Sequence, residues 1–191
     1  VHFAFFDFDG TISTRDSFLL FLYFADKKRF LRTCLVNLPQ ILWYLAGHFS
    51  SHRLKEMFLD GVFRGESMGD LEKKAEQFCR QQLPAVIRKK FWTQLDFHRQ
   101  HNHHVVVVTA TPTFILAPWC ARHEIEIIGT ELALAKDGSV TGRIAGRNCK
   151  GEEKVRRIRQ RYVWGDDSTI YAYGDTSGDL PMLDLAPAEN R

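Results

Sequence analysis

Two carboxylates one residue apart, Asp7 and Asp9, end the apolar run Phe3-Ala4-Phe5-Phe6 and lead into Gly10-Thr11. Like charges this close at one strand end repel, and a divalent cation is the usual offset. The plainer alternative is a strand capped by a turn, with aspartate present for turn chemistry. A carboxylate can attack phosphorus and, through an aspartyl-phosphate, split one hard substitution into two easier ones. Asp7 is the candidate nucleophile. A second carboxyl two residues on can protonate a leaving alcohol and then deprotonate the attacking water, a role open to Asp9.

Three further pieces supply what phosphoryl transfer needs, which is chiefly positioning and neutralisation of charge. Thr109 directly follows the run Val105–Val108 and precedes Ala110-Thr111. A lysine lies in Cys149-Lys150-Gly151-Glu152-Glu153-Lys154, where a helix is expected to begin and present its N–H groups. Gly174-Asp175-Thr176-Ser177-Gly178-Asp179 follows the run Ile170–Tyr173. Thr109, the Ala110 amide and a lysine would bind phosphate. Both lysines are open for that part, since positions four apart can share a helix face.

The elements that must position these residues are short β-branched or aromatic runs: Val1–Phe6, Val105–Val108, Ile170–Tyr173 and, as a fourth, Ile125–Ile128. In a parallel sheet their carboxyl ends share the edge where such folds bind ligands. Between the first two runs, Ser17–Phe24, Phe30–Gly47, Ser51–Phe63, Met68–Gln82 and Pro84–His98 carry helical spacing. A βαβ crossover needs only about a dozen residues, so a helical lobe is inserted after the first strand. Thr130–Ala135 and Val140–Ala145 form a hairpin on Asp137-Gly138, and Glu152–Tyr162 is a basic helix. The expected fold is α/β: a three-layer α/β/α Rossmann-like core with a mainly parallel sheet, residues 1–14 and 101–191. An all-helical cap domain is inserted at residues 15–100.

In this order the motifs resemble the haloacid dehalogenase superfamily, and within it the branch of phosphoserine phosphatase and phosphatidylglycerophosphatase C (subfamily IB). The resemblance covers nearly the whole chain. It implies Asp7 as nucleophile and Asp9 as acid and base. Mg2+ would be held by Asp7, Asp175 and the Asp9 backbone carbonyl, with Asp179 holding its waters or orienting the lysine. Lys154 fills the Gly-x-x-Lys slot of the lipid-phosphatase relatives; Lys150 follows one phosphoserine phosphatase pattern. Asp16 stands where the phosphoserine enzymes carry a glutamate that meets substrate ammonium, or else it caps the helix at Ser17. Gly178 replaces an asparagine of those enzymes, which weakens phosphoserine as substrate. Relatives also continue past Asp179 with another strand and helix. A dehalogenase would need neither Asp9 nor magnesium, so the implied reaction is hydrolysis of a phosphate monoester. The substrate is a lipid phosphate such as phosphatidylglycerophosphate or a small soluble ester; a non-catalytic phospholigand-binding module is the remaining alternative.

Composition narrows the setting. Four scattered cysteines without a CxxC pair argue against zinc or a disulfide framework and for a reducing compartment. The amino end, with its two aspartates and no basic leader, does not read as a signal peptide. Residues 12–104 hold 15 Lys/Arg against 9 Asp/Glu, so the basic insert suits an anionic substrate or surface. Residues 33–47 carry no charge but are too few, with Pro39 among them, to span a bilayer. They read as bundle core or as a membrane-interface segment beside Lys27, Lys28, Arg29 and Arg32. The expectation is a cytoplasmic protein, with peripheral contact at the inner membrane face as the further option. His98, His101, His103 and His104 read as an exposed loop. The run Arg156, Arg157, Arg159, Arg161 reads as a solvated helix face, with no aromatic interleaving to suggest nucleic acid.

Overall fold

In the computed structural model, which describes residues 1–191, β1 (Phe3–Phe6) is buried along its whole length. Strand alternation sends Phe3 and Phe5 to one side of the sheet and Ala4 and Phe6 to the other. β2 (His104–Pro112) and β6 (Ile170–Tyr173) flank it, and β3 (Glu126–Thr130) lies beyond β2, giving the order β3-β2-β1-β6, all parallel. Phe6 pairs with both Val107 and Tyr173. That register brings the residues after all three strands to one edge of the sheet.

β2 runs four residues past its expected end. Its register against β3 shifts between Val108 and Pro112, where Pro112 pairs with Thr130. An irregularity of this kind re-aims side chains, and it falls on Thr109, Ala110 and Thr111.

The insert begins with α1 (Ser17–Ala25), α2 (Lys27–Val36), α3 (Leu38–Leu45), α4 (Ser51–Phe63) and α5 (Met68–Gln81). The single helix expected over residues 30–47 is two. Asn37 ends α2 and turns its side-chain amide back to the Thr33 carbonyl at 2.9 Å, and Pro39 then sits in the first turn of α3, where no N–H is required. The helix expected from Pro84 begins instead with a 3-10 turn, Leu83–Val86, followed by extended Ile87 and Arg88. The Arg88 amide donates to the Ile12 carbonyl at 2.8 Å, so only at Lys89 does α6 (Lys89–Gln100) start.

α6 lies inside the span assigned to the insert, yet it packs on the sheet. The Phe91 ring meets Phe6 edge-on at 5.5 Å and lies 5.7 Å from Trp119 of α7 (Thr113–Arg122). Truncating a buried ring of this kind costs about 3–5 kcal/mol. The other face of the sheet is closed by α8 (Glu152–Arg161) and α9 (Leu180–Leu183), whose Ile158 and Met182 join Phe3, Phe5 and Val106. The hairpin β4 (Leu132–Leu134) and β5 (Val140–Ile144) stays out of the main sheet and packs on α4. Gly142, at φ +81°, permits the approach: a Cβ there would lie 2.6 Å from the Asp60 Cα.

The histidine cluster and the arginine run depart from their expected settings. His98 is wholly buried, its Nδ1 2.8 Å from His103 Nδ1 and its Nε2 3.1 Å from the Tyr173 hydroxyl, so the cluster is not a simple exposed loop. Nor is the arginine run uniformly solvated: Arg157 donates to Glu153, to the Arg147 carbonyl at 2.7 Å and to the Gly129 carbonyl, bracing α8 against β3. The apolar insert divides in two. Phe18, Phe21 and Leu22 enter the core, while Leu35, Leu42 and Trp43 stay exposed. No helix is long and apolar enough to cross a membrane, and all four cysteines are unpaired.

Candidate active site

At the shared strand edge a buried ammonium sits between two carboxylates. Lys154 Nζ donates to Asp7 Oδ1 at 2.5 Å and to Asp179 Oδ1 at 2.7 Å, with all three residues nearly sealed from solvent. One cation between two acids leaves one negative charge uncompensated. Asp179 keeps it. Burial opposes ionisation there, but Lys154 and the Thr176 amide and hydroxyl, at 3.0 and 2.6 Å, outweigh it and hold Asp179 below its usual range. Asp7 is pushed up to about 7, by burial first, with Lys154 opposing and Asp179 adding. For Lys154, burial disfavours the charge, but Asp7 and Asp179 overcome it and hold the ammonium above its ordinary value.

Asp175, exposed on the loop after β6, completes a trio. One carboxylate oxygen from each of Asp7, Asp175 and Asp179 lies within 4.8 Å of the others. Thr11 donates to Asp175 Oδ1 at 3.3 Å, and Gly10, at φ +90°, leaves the room that Asp175 occupies: a Cβ there would lie 2.1 Å from its Oδ2. An oxygen-only set of three acids suits a hard divalent cation.

Asp9 stands apart from this trio. Its Oδ1 accepts from the Ser17 amide at 2.7 Å and its Oδ2 from the Thr111 hydroxyl at 2.7 Å. Burial, with the nearby Asp16 charge, raises its pKa, the direction an acid catalyst needs. Its expected share in a metal site is through the backbone carbonyl. Thr109 is buried, and its oxygen accepts from the Thr111 amide at 3.0 Å, which leaves its proton to donate. Asp16 caps α1, accepting from the Leu19 amide at 2.8 Å, and also lines the cavity beside the site.

The two lysines separate. Gly151, at φ +63°, precedes the first turn of α8, so Lys150 is not on that helix and shares no face with Lys154. Lys150 is exposed, its stem lying over Gly178, where a Cβ would meet Lys150 Cε at 2.6 Å. It lines the cavity mouth and does not enter the acid cluster.

The cavity, of about 190 Å3, holds a residue that sequence reasoning missed. Lys55 on α4 donates to the Ala110 carbonyl and to Asn148 Oδ1 at 2.9 Å, with Phe18 under its ammonium at 5.4 Å. Burial lowers its pKa to about 8, against the pull of Asp16 and Asp9. Thr130 donates to the same Asn148 oxygen at 3.0 Å. The available signal was a lone lysine amid the apolar positions Leu54, Met57 and Phe58 of a helix. Thr111 and Ser17, which hold Asp9, carried no signal of their own.

A sequence model of the haloacid dehalogenase-like hydrolases matches residues 4–184. The chain belongs to that family. Among curated members of similar sequence, protein CicA of Caulobacter vibrioides is 33% identical over 183 residues, covering 95% of this chain and 81% of CicA. The probable phosphatase Rv3661 of Mycobacterium tuberculosis is 27% identical over 189 residues, covering 95% of this chain and 65% of that one. This haloacid dehalogenase-like hydrolase also superposes on a Bordetella pertussis protein of unknown function with a TM-score of 0.83, at 25% identity, covering 96% and 86% of the two chains. With substrate-bound phosphoserine phosphatase the TM-score is 0.61 at 14% identity, covering 97% and 82%, a likeness of fold alone.

Proposed function

We propose that the protein is a magnesium-dependent phosphatase that hydrolyses a phosphate monoester through an aspartyl-phosphate on Asp7. The observation that carries this reading is the buried Lys154 between Asp7 and Asp179, with Asp175 completing the acid trio. The enzyme is a phosphoric monoester hydrolase. Asp7, Asp175 and the Asp9 carbonyl would hold Mg2+, with Asp179 orienting Lys154 beside it. When bound, the ion would supply positive charge to offset the carboxylates and the phosphoryl group, which favours the ionised form of Asp7.

The residues divide the reaction as follows. A carboxylate oxygen of Asp7 attacks phosphorus while the ester bond to the alcohol breaks, and Asp9 gives its proton to the departing oxygen. Asp9 then takes a proton from a water that attacks the phosphorus of the aspartyl-phosphate. This releases inorganic phosphate and restores Asp7. Thr109, the Ala110 amide and Lys154 hold the phosphoryl oxygens, and the insert keeps bulk water from the intermediate.

The wall of the cavity favours an ester with an apolar body. Phe18, Leu54, Phe58 and Tyr44 line it, and Lys55 and Lys150 stand at its polar end. A lipid phosphate such as phosphatidylglycerophosphate fits both ends, and a small soluble ester such as phosphoserine fits only the polar one. The test is phosphate release from each, with Mg2+ and with chelator, beside the Asp7→Asn protein. Metal-dependent release from the lipid, absent in the variant, supports the whole reading. Preference for phosphoserine removes the lipid and keeps the mechanism. Equal release by the variant overturns the mechanism.

A further inference from the structure

Six large apolar side chains within residues 35–45 stand more than half exposed: Leu35, Val36, Leu38, Leu42, Trp43 and Leu45. On α3, Leu38, Leu42 and Leu45 fall at helical spacing and form one stripe, which continues onto the end of α2. Contiguous patches of this kind mark interaction surfaces. The charge around it is one-sided. Residues 26–49 hold four Lys/Arg and a single acid, Asp26. Arg29 is held by Glu66 at 2.8 Å, and Lys28 and Arg32 face outward on α2.

We propose that the α2–α3 face is a docking surface for an anionic lipid bilayer. A second copy of the chain fits poorly, because apposing two such faces would bring like charges together. An anionic bilayer satisfies both properties, taking the apolar stripe into its interface and the cations at its headgroups. α3 has eight residues, about 12 Å of helix against a hydrocarbon core of about 30 Å, so it lies along the surface. Trp43 has the amphipathic ring that interfaces favour. Its neighbour Tyr44 lines the cavity, so a docked protein would open that cavity toward the headgroups. This last link, and not the docking itself, rests on the phosphatase reading.

The experiment is co-sedimentation with vesicles of phosphatidylcholine, alone or with one-third phosphatidylglycerol, with turnover of p-nitrophenyl phosphate measured in parallel. The wild-type protein should sediment with the anionic vesicles and be released by salt. Lys28→Ala with Arg32→Ala should weaken binding about thirtyfold, taking roughly 1 kcal/mol for each surface cation. Leu42→Glu with Trp43→Glu should abolish it. Both double variants alter exposed side chains outside the site, so soluble turnover should stay unchanged and report their folding. Vesicle binding by the Leu42/Trp43 variant equal to that of the wild type overturns the proposal, as does a wild-type protein that ignores anionic vesicles. A wild-type dimer in sedimentation equilibrium that the same variant dissociates, without vesicle binding, would make the face an interface between copies. Failure of the phosphatase reading is distinguishable, because turnover is then absent in every protein while vesicle binding persists.

Discussion

Lys154 and Asp7 stand 147 residues apart in the chain and 2.5 Å apart in space, both buried, with Asp179 on the other side of the ammonium at 2.7 Å. Removing the cation leaves two carboxylates facing each other out of water. Lys154→Met should therefore abolish turnover and destabilise the fold by about 3–5 kcal/mol, the usual cost of breaking a buried pair from one side. Asp7→Asn should also abolish turnover but keep stability, because Lys154 retains Asp179. Urea unfolding beside phosphate-release assays separates the two outcomes.

Thr111 gives Asp9 Oδ2 one of its hydrogen bonds. Thr111→Val removes that donor and leaves the Ser17 amide on Oδ1. The expected result is a kcat about tenfold lower, the worth of one hydrogen bond to a charged group. The pKa of Asp9, already raised, should climb further, moving the corresponding limb of the pH–kcat profile upward. An unchanged profile would mean that Thr111 only packs.

Lys55 yields a prediction on the alkaline side. Its ammonium, with a pKa near 8, is present below that pH and lost above it. If it meets the substrate, KM should rise as the pH passes 8, and Lys55→Met should flatten that rise. Stability runs the other way. Between 8 and the ordinary lysine value of 10.5 the unfolded chain holds a proton that the folded one has released, so this residue adds stability as pH rises.

His98 acts on the acid side. Burial, with His103 and His101 nearby, lowers its pKa from 6.5 to about 4. Across that window the unfolded chain binds a proton that the folded chain refuses, so stability should fall as pH drops from 6.5 to 4. A shift of this size is worth about 3 kcal/mol. Denaturation midpoints at several pH values, for the wild type and for His98→Gln, measure it. An equal slope in both would assign the effect to other groups.

The parts of this molecule that a sequence displays are those set by local pattern. Ile170–Tyr173 and Ser51–Phe63 have their expected bounds, because alternation in one and capped helical spacing in the other decide them. Asp7, Asp175, Asp179 and Lys154 were legible as types at strand or helix ends, and the parallel register brings them together. What stayed hidden depends on tertiary placement. Lys55 reaches Ala110 and Asn148 only through the packing of α4 against β5 and its neighbouring helices, and α6 joins the sheet because Phe91 finds Phe6. The break at Asn37 was written in Pro39 yet masked by the uniform apolarity around it.

The acid and base of the proposed reaction is tied to two bodies at once. One oxygen of Asp9 is fastened to the first residue of α1, through the Ser17 amide, and the other to the sheet, through Thr111. The two chain crossings between those bodies run side by side, with the Thr14 amide on the Val86 carbonyl and the Arg88 amide on the Ile12 carbonyl, both at 2.8 Å. Paired crossings make a narrow hinge. Any displacement of α1 about it would alter together the burial and the Asp16 charge that raise the Asp9 pKa and the Ser17 hydrogen bond that lowers it. The proton affinity of Asp9 is thereby coupled to the position of the insert.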